Sequence, residues 1–238
     1  MTSGYVHSFE TGAASDGPGV RFALFVTGCP FRCLYCHNPD TWELERGQKK
    51  TSDEVLAEIG KYASFLRMAG GLTITGGEPL VQSAFVGEIF KRAKSELKLH
   101  TALDTNGFLG NILPDSWFDS VDLVLLDIKQ INPQKHLELV GRPLEPVLEF
   151  AKRLNAMKKP VWIRHVLVPG YTDNEKDLTG LAEFLSTLQN IERVEVLPFH
   201  NMAFHKWEEL KIPYKFKDMR PPSNEALTMA RKILHATY

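Results

Sequence analysis

The chain contains little cysteine and no apolar run long enough to cross a membrane. Only three of its 238 residues are cysteine. So small and odd a number excludes a disulfide framework and fits a reducing compartment. The first twenty residues contain no continuous apolar stretch, so no secretion signal is predicted. These absences predict a soluble protein that stays in the cytoplasm, without a membrane partner.

Neither sign of charge dominates. Lys and Arg number 28 against 29 Asp and Glu, for a net charge of -1. No broad basic surface is expected, which argues against nucleic acid as a partner. With 43% hydrophobic and 24% charged residues, the composition is that of an ordinary globular protein. We predict a single domain over residues 1–238, without an internal linker.

The three cysteines, Cys29, Cys33 and Cys36, lie in one short segment. Three inert core cysteines would have no reason to cluster in this way. Four-iron clusters are normally held by four thiolates, so three thiolates would leave one iron open to another ligand. An open metal position is typical of a catalytic site. The alternatives are a zinc site completed by His37 and a redox dithiol, although a dithiol would leave Cys29 unexplained.

Apolar runs rich in β-branched and aromatic residues alternate with stretches of helical period, which predicts βα units on a parallel sheet. Strands are predicted near 20–27, 72–75, 100–104, 122–127, 161–167 and 193–198. Helices are predicted at 51–68, 82–97, 144–158, 174–188 and 223–236. In the first helix, Thr51 and Glu54 form a capping box. Val55, Ile59, Tyr62 and Leu66 share one face of it. Six strands with right-handed crossovers predict an α/β fold, an open (β/α)6 barrel of the TIM-like kind.

Each predicted strand carries, or runs into, a glycine-containing or polar cluster. Active sites of such barrels lie at the carboxyl ends of the strands, so these clusters are expected to converge on one site. In strand order they are Gly28-Cys29, Thr75-Gly76-Gly77-Glu78, Asp104-Thr105-Asn106, Asp127-Ile128-Lys129, Arg164 and His200.

The cysteine spacing, with Tyr35 before the last cysteine, resembles that of the radical S-adenosylmethionine enzymes. The segments Asp16–Arg21 and Gly28–Pro39, with Phe25 between them, resemble the signature of the members that activate glycyl radical enzymes. The resemblance covers most of the chain, through Thr75–Pro79, Leu103–Gly107, Leu126–Lys129, Val161–Arg164 and Leu197–His200. With no cysteines left for an inserted ferredoxin-like region, the chain fits best the activases that act on pyruvate formate-lyase.

This resemblance implies a [4Fe-4S] cluster held by Cys29, Cys33 and Cys36 as the catalytic centre, with S-adenosylmethionine on its open iron. It implies that an electron from the cluster cleaves S-adenosylmethionine, and that the 5′-deoxyadenosyl radical takes a hydrogen atom from a glycine Cα. The protein substrate would be pyruvate formate-lyase, an enzyme of anaerobic glucose metabolism. Flavodoxin or ferredoxin would donate the electron, and the chain would act as a monomer.

Individual residues have competing interpretations. Gly76 and Gly77 let backbone come close, so unpaired amides there could bind the amino acid end of the cofactor, but they could equally form a tight turn. Lys129 could serve the cofactor or a structural ion pair. Arg164 could grip the cofactor or pair with a buried glutamate. The segment 16–19 is a turn by default, with a role in docking the partner as the functional interpretation.

By family resemblance, Tyr35 lies near the adenine, His200 near the ribose, and the carboxylates near the cofactor and a monovalent cation. The residues predicted to contact S-adenosylmethionine are Tyr35, Cys36, His37, Gly76, Gly77, Glu78, Asp104, Asp127, Ile128, Lys129, Arg164 and His200. Those predicted to hold a monovalent cation are Asp104, Thr105 and Asp127. Two alternative functions stay open: a radical enzyme acting on another glycyl radical enzyme or a small molecule, and a non-enzymatic zinc scaffold.

Overall fold

A computed structural model describes residues 1–236. The strands are β1 Ser3–Ala13, β2 Val20–Val26, β3 Gln48–Thr51, β4 Gly70–Gly76, β5 Thr101–Thr105, β6 Leu123–Asp127, β7 Val161–Leu167 and β8 Ile191–Pro198. The α-helices are α1 Ser52–Gly60, α2 Ala63–Ala69, α3 Ser83–Ser95, α4 Pro133–Val140, α5 Glu145–Ala156, α6 Glu175–Ser186, α7 Phe204–Glu209 and α8 Asn224–Ile233. Short 3-10 helices lie at Pro39–Thr41, Leu44–Arg46, Pro79–Gln82, Gly110–Ile112 and Asp115–Ser120.

The strands form one sheet in the order β3-β1-β2-β4-β5-β6-β7-β8. β2 pairs with β4, β4 with β5, and β7 with β8, all in parallel. The sheet has two free edges, at β3 and β8, and does not close on itself. This confirms the predicted α/β fold with an open, partial TIM-like barrel.

Two strands lie outside the six that the sequence pattern predicts. β1 pairs antiparallel with β2 and with β3, and so extends the parallel sheet at one edge. Most of β1 alternates poorly between buried and exposed positions, and β3 consists of one Gln, two Lys and one Thr. Neither strand has the apolar pattern that marks a strand in sequence, so pairing with neighbours decides their conformation.

The predicted helix over 51–68 is two helices. The capping box at its start is confirmed, because the Thr51 hydroxyl accepts from the Glu54 amide and the Glu54 carboxylate accepts from the Thr51 amide. α1 ends at Gly60, and Tyr62 N–H then donates to Ile59 O at 3.0 Å, a tighter turn than an α-helix makes. Glycine is a weak helix former, which favours the break. Of the four residues predicted to share one face of this helix, Val55, Ile59 and Leu66 are fully buried, whereas Tyr62 lies between the two helices and is 38% exposed.

The other four predicted helices are confirmed, with shorter ends, as α3, α5, α6 and α8. α4 and α7 were not predicted. α7 has only six residues, too few for a helical period to be visible. α4, in contrast, carries readable signals: Asn132 caps its start, Pro133 is its first residue, and Gly141 ends it in the left-handed conformation.

The chain forms two compact units. The first comprises residues 1–30, 41–105 and 112–125, and its core includes Phe22, Leu24, Ile59 and Leu66. The second comprises residues 31–40, 106–111 and 126–238, and its core includes Phe150, Phe199 and Phe216. That the chain is a single domain stays a prediction. Within residues 1–236, no helix is both long and apolar enough to cross a membrane.

Candidate active site

The first cysteine follows β2 on a tightly held backbone. Gly28 has φ +90°, and a Cβ there would lie 3.0 Å from a Val81 methyl, so a side chain at this position would be strained. Gly28 N–H donates to Thr41 O at 2.7 Å, and Cys29 N–H donates to Trp42 O at 3.0 Å. The main chain that carries the Cys29 thiol is therefore fixed by the segment after the cysteine motif.

The glycines after β4 allow two backbones of the first unit to touch. A Cβ on Gly77 would lie 2.4 Å from Gly28 O. Gly77 N–H donates to Val26 O at 2.8 Å, and Glu78 N–H donates to Gly28 O at 2.7 Å. The expectation of an unpaired Gly77 amide is wrong, because this amide donates a hydrogen bond to Val26, just before the turn that carries Cys29. Cofactor contacts by Gly76 and Gly77 stay a prediction.

Four predicted site residues meet at the ends of β4 and β5, which are neighbours in the sheet. The fully buried Glu78 carboxylate accepts from the Thr105 hydroxyl at 2.7 Å and from the Leu80 amide at 3.0 Å. The Thr75 hydroxyl donates to Asp104 Oδ2 at 2.7 Å. Hydrogen bonds to a carboxylate favour its charged form. This edge of the first unit therefore carries two oriented carboxylates.

The other two cysteines lie in the second unit, on a loop held at three backbone positions. Cys36 N–H donates to Cys33 O at 3.1 Å, which closes the turn between them. Arg32 and Leu34 donate their amides to Val140 O and Leu139 O, at 2.9 and 3.0 Å. The last carbonyls of a helix lack partners within the helix. The loop thus satisfies the end of α4 and is anchored by it.

Lys129 forms an ion pair with Asp127, with Nζ 2.8 Å from Oδ2. Its ammonium also lies 5.8 Å from the centroid of the Tyr35 ring. Burial would lower the pKa of Lys129, but Asp127 and further groups outweigh it and the pKa lies well above its ordinary value. The structural ion pair considered for Lys129 is confirmed. A cofactor contact by either residue stays a prediction.

Burial controls the protonation of the groups around this loop. It raises the pKa of the Cys33 thiol to about 12, against a smaller lowering by Lys129. It also raises the pKa of Tyr35, whose hydroxyl is buried and has no hydrogen-bond partner in the described part of the chain. None of the three cysteines forms a disulfide, and each residue is partly exposed. In the metal-free chain the Cys33 thiol is thus neutral, and binding a metal would release its proton.

His37 and His200 stack, with ring centroids 4.1 Å apart. His37 Nε2 lies 3.0 Å from the backbone oxygen of His200. A carbonyl oxygen only accepts, so this nitrogen carries the proton. Burial, followed by the His200 ring, lowers the pKa of His37 to about 4, so its ring is neutral near pH 7. His200 Nδ1 is buried and has no hydrogen-bond partner within residues 1–236.

Arg164 and Ile128 are engaged within the second unit. Arg164 lies beside Glu195 in the β7–β8 register, and its Nε is 3.4 Å from Glu195 Oε2. The glutamate partner considered for Arg164 is therefore present. Ile128 is fully buried; its amide donates to Arg164 O, and its carbonyl oxygen lies 2.9 Å from His165 Nδ1. Contacts of Arg164 and Ile128 with a cofactor stay predictions.

The segment 16–19 is held as a turn by a buried arginine. Gly17 and Gly19 have positive φ angles. Arg21, with no exposed surface, donates to Pro18 O, to the Thr73 hydroxyl and to Leu72 O. The turn is confirmed, while its part in docking a partner stays a prediction.

Sequence reasoning missed the side chains of α7. Trp207 Nε1 donates to Cys36 O at 3.0 Å, and the Trp207 ring stacks on Tyr214 with centroids 4.7 Å apart. Lys206 binds Asn38 Oδ1 at 2.9 Å and Asp40 Oδ2 at 3.1 Å. No spacing pattern in the sequence connects these residues with the cysteine motif.

Within residues 1–236, no three histidine, cysteine or acidic side chains already stand together as a metal-binding group. Three cysteines in one short segment, none in a disulfide and with no fourth cysteine in the chain, fit a cluster that leaves one iron open.

Comparison with known proteins matches residues 24–182 to the Radical SAM superfamily. Pyruvate formate-lyase-activating enzymes of Staphylococcus epidermidis and Staphylococcus aureus are each 44% identical over 243 aligned residues, covering 99% of this chain and 96% of theirs. The crystal structure of a domain of pyruvate-formate lyase-activating enzyme from Bacteroides vulgatus shares 28% identity, with a TM-score of 0.57 over 70% of this chain and 94% of that one. A radical SAM methyltransferase from Sphaerobacter thermophilus, 18% identical, shares the fold with a TM-score of 0.66 over 90% of this chain and 63% of its own.

Proposed function

We infer that this chain, which belongs to the Radical SAM superfamily, activates pyruvate formate-lyase by generating a glycyl radical in it. The observation that carries this inference is the 44% identity to pyruvate formate-lyase-activating enzymes over 99% of the chain. Membership of the superfamily implies a [4Fe-4S] cluster and S-adenosylmethionine as cofactors.

Cys29, Cys33 and Cys36 are the proposed cluster ligands. They are the only thiols in the chain, and none is engaged in a disulfide. Their backbones are already fixed by hydrogen bonds at Cys29, Leu34 and Cys36, which limits the entropy lost on binding a metal. Three ligands leave one iron for the amino and carboxylate groups of S-adenosylmethionine.

The second unit supplies several groups suited to the rest of the cofactor. His200 Nδ1 is buried and unsatisfied in the described chain, and such an atom costs free energy until a ligand binds it. The Tyr35 hydroxyl is also buried without a hydrogen-bond partner in the described chain, and the Tyr35 ring has a flat apolar face. We propose the remaining contacts at Cys36, His37, Gly76, Gly77, Glu78, Asp104, Asp127, Ile128, Lys129 and Arg164, and a monovalent cation at Asp104, Thr105 and Asp127.

When bound, the reduced cluster and S-adenosylmethionine supply an electron and a carbon–sulfur bond whose cleavage yields a radical able to take a hydrogen atom from glycine. The protein's own role is to bind and orient these cofactors. Thr75 and Thr105 donate to Asp104 and Glu78, which fixes these carboxylates at the edge of the sheet. Buried apolar groups such as Ile128 exclude water from the neighbouring polar groups of the second unit.

The proposed protein substrate is a loop of pyruvate formate-lyase that contains the target glycine. Glycine lacks a side chain, so its Cα can enter a narrow site. Flavodoxin or ferredoxin is the proposed electron donor, and we propose that the chain works in the cytoplasm as a monomer.

Electron paramagnetic resonance tests this function. The protein is reconstituted with iron and sulfide without oxygen, reduced, and mixed with S-adenosylmethionine and pyruvate formate-lyase. A glycyl radical doublet that depends on both additions is expected. A reduced cluster that cleaves S-adenosylmethionine but gives no doublet would contradict the assigned partner. Colourless protein holding one zinc ion would contradict the enzyme assignment as a whole.

A further inference from the structure

Two helices that the sequence pattern missed, α4 and α7, hold the loop that carries Cys33 and Cys36. The end of α4 accepts the amides of Arg32 and Leu34. α7 supplies a side-chain contact to the main chain of Cys36, in which the Trp207 indole N–H donates to the carbonyl oxygen at 3.0 Å. The first half of the loop is thus held through backbone hydrogen bonds to α4, and the Cys36 carbonyl is held by a side chain of α7.

Trp207 is itself held in place. It is 4% exposed, and its ring stacks on Tyr214 at 4.7 Å with an interplanar angle of 26°. A stacked, buried indole has few alternative rotamers. The direction of its N–H is therefore fixed.

The residue before Trp207 holds the chain just beyond the motif. Lys206 Nζ lies 2.9 Å from Asn38 Oδ1 and 3.1 Å from Asp40 Oδ2, and the Lys206 and Asp40 side chains are about three-quarters buried. Two successive residues of α7 thus bind the motif at Cys36 and at the segment that follows it. This double attachment restrains the chain at Cys36 and in the segment just after it.

We propose that Trp207 is a positioning residue for Cys36, its indole N–H fixing the backbone that presents the third thiolate to the metal. The inference rests on the proposed function, because it requires a cluster at the cysteines. Groups that orient metal ligands without touching the metal affect both its retention and its electronic properties.

Two substitutions at position 207 and one elsewhere test the role. Trp207→Phe keeps an aromatic ring against Tyr214 and removes the N–H. Replacing Trp207 with benzothienylalanine keeps the shape of the indole and removes only the N–H, so a folding defect of the phenylalanine variant would not obscure the result. The control is Trp117→Phe, since Trp117 Nε1 donates to Ser83 O at 2.9 Å, an equivalent bond in the first unit.

Each protein is reconstituted without oxygen, and two quantities are measured: the rate at which a chelator removes iron, and the electron paramagnetic resonance spectrum of the reduced cluster. We expect both variants at 207 to lose iron about two- to tenfold faster than wild type, the equivalent of the roughly 0.5–1.5 kcal/mol of one hydrogen bond. We also expect shifted g values, which the Trp117→Phe protein should not show.

Wild-type spectra and iron loss in the benzothienylalanine protein would overturn the positioning role. The same holds if Trp117→Phe changes the spectrum as much as the variants at 207. A wild-type chain that takes up no cluster would instead overturn the proposed function, so the two failures are distinguishable.

Discussion

At the scale of single residues, two features of the proposed site point to a ligand: an incomplete set of cysteine ligands and a buried histidine nitrogen. Three thiols have no fourth companion in the chain, and His200 Nδ1 is buried without a hydrogen-bond partner in the described residues. The Glu78 carboxylate, in contrast, accepts hydrogen bonds from Thr105 and Leu80. Unsatisfied buried atoms are costly in a folded protein. They are therefore the first places to expect a ligand.

We expect Cys33→Ala to abolish iron uptake and cleavage of S-adenosylmethionine while leaving the fold intact, because Cys33 lies on a loop outside the apolar core. Iron content, product analysis and circular dichroism measure the three quantities. Ser186→Ala, which alters an exposed helix end, is the control. Full iron content or wild-type cleavage in Cys33→Ala would remove this residue from the ligand set.

His136 predicts a dependence of stability on pH. It is fully buried, and burial lowers its pKa below the ordinary 6.5, partly offset by a hydrogen bond with Arg142 O. The unfolded chain therefore binds the proton more readily, and stability decreases as the pH falls below about 6.5. In His136→Gln, the free energy of unfolding by urea should change less between pH 7.5 and pH 5.5 than in wild type.

The exposed His7 provides the control for this pH dependence, as His7→Gln. Only the change between the two pH values is compared, because losing a buried group also weakens the fold at either pH. Equal changes in wild type and in His136→Gln would show that His136 does not contribute.

At the scale of elements, the cysteine loop depends on how α4 ends. Gly141 adopts φ +76° after the last residue of this helix, while a Cβ there would meet no atom closer than 4.0 Å. The cost of a side chain at this position is therefore backbone strain and not a clash. Val140 and Leu139, whose carbonyls hold the loop, are immediately before it.

We expect Gly141→Ala to lower the free energy of unfolding by about 1–2 kcal/mol, the cost of the left-handed conformation for alanine. The matched control is Gly60→Ala at the end of α1, where φ is not positive and no atom lies within 4 Å of a Cβ. That change should be neutral or slightly stabilising. Equal effects of the two substitutions in urea unfolding would contradict the assigned strain.

The elements also show where sequence patterns stop being informative. Six strands and the long helices are predicted from the periodic spacing of apolar residues and from helix-capping residues. The capping box of Thr51 and Glu54 is visible in the sequence. β3 could not be found, because Gln48, Lys49, Lys50 and Thr51 become a strand only through pairing with β1. The break after Gly60 likewise depends on packing that exposes Tyr62.

At the scale of the whole molecule, a ligand that binds only the folded chain stabilises it by mass action. S-adenosylmethionine at a hundred times its dissociation constant should add about 2.7 kcal/mol to the unfolding free energy of the cluster-loaded protein. The increase should be smaller in His200→Ala, which lacks the ring nitrogen that we assign to the cofactor. Anaerobic thermal unfolding with and without S-adenosylmethionine measures it.

The exposed His205 provides the control for the thermal measurement, as His205→Ala, and should respond to S-adenosylmethionine like wild type. A His200→Ala protein that gains as much stability as wild type would show that His200 does not contact the cofactor.

The sequence by itself determined the fold class, the polar residues that follow each parallel strand, and the chemistry of the site. These follow from local patterns: apolar period, three cysteines at short spacing, and glycines where backbones meet. Only the tertiary structure decided that the Gly77 amide donates to Val26 O, that Arg164 pairs with Glu195, and that the Trp207 indole donates to the Cys36 carbonyl. The physical reason is sequence distance, because such partners are brought together by folding and leave no periodic or spacing signal along the chain.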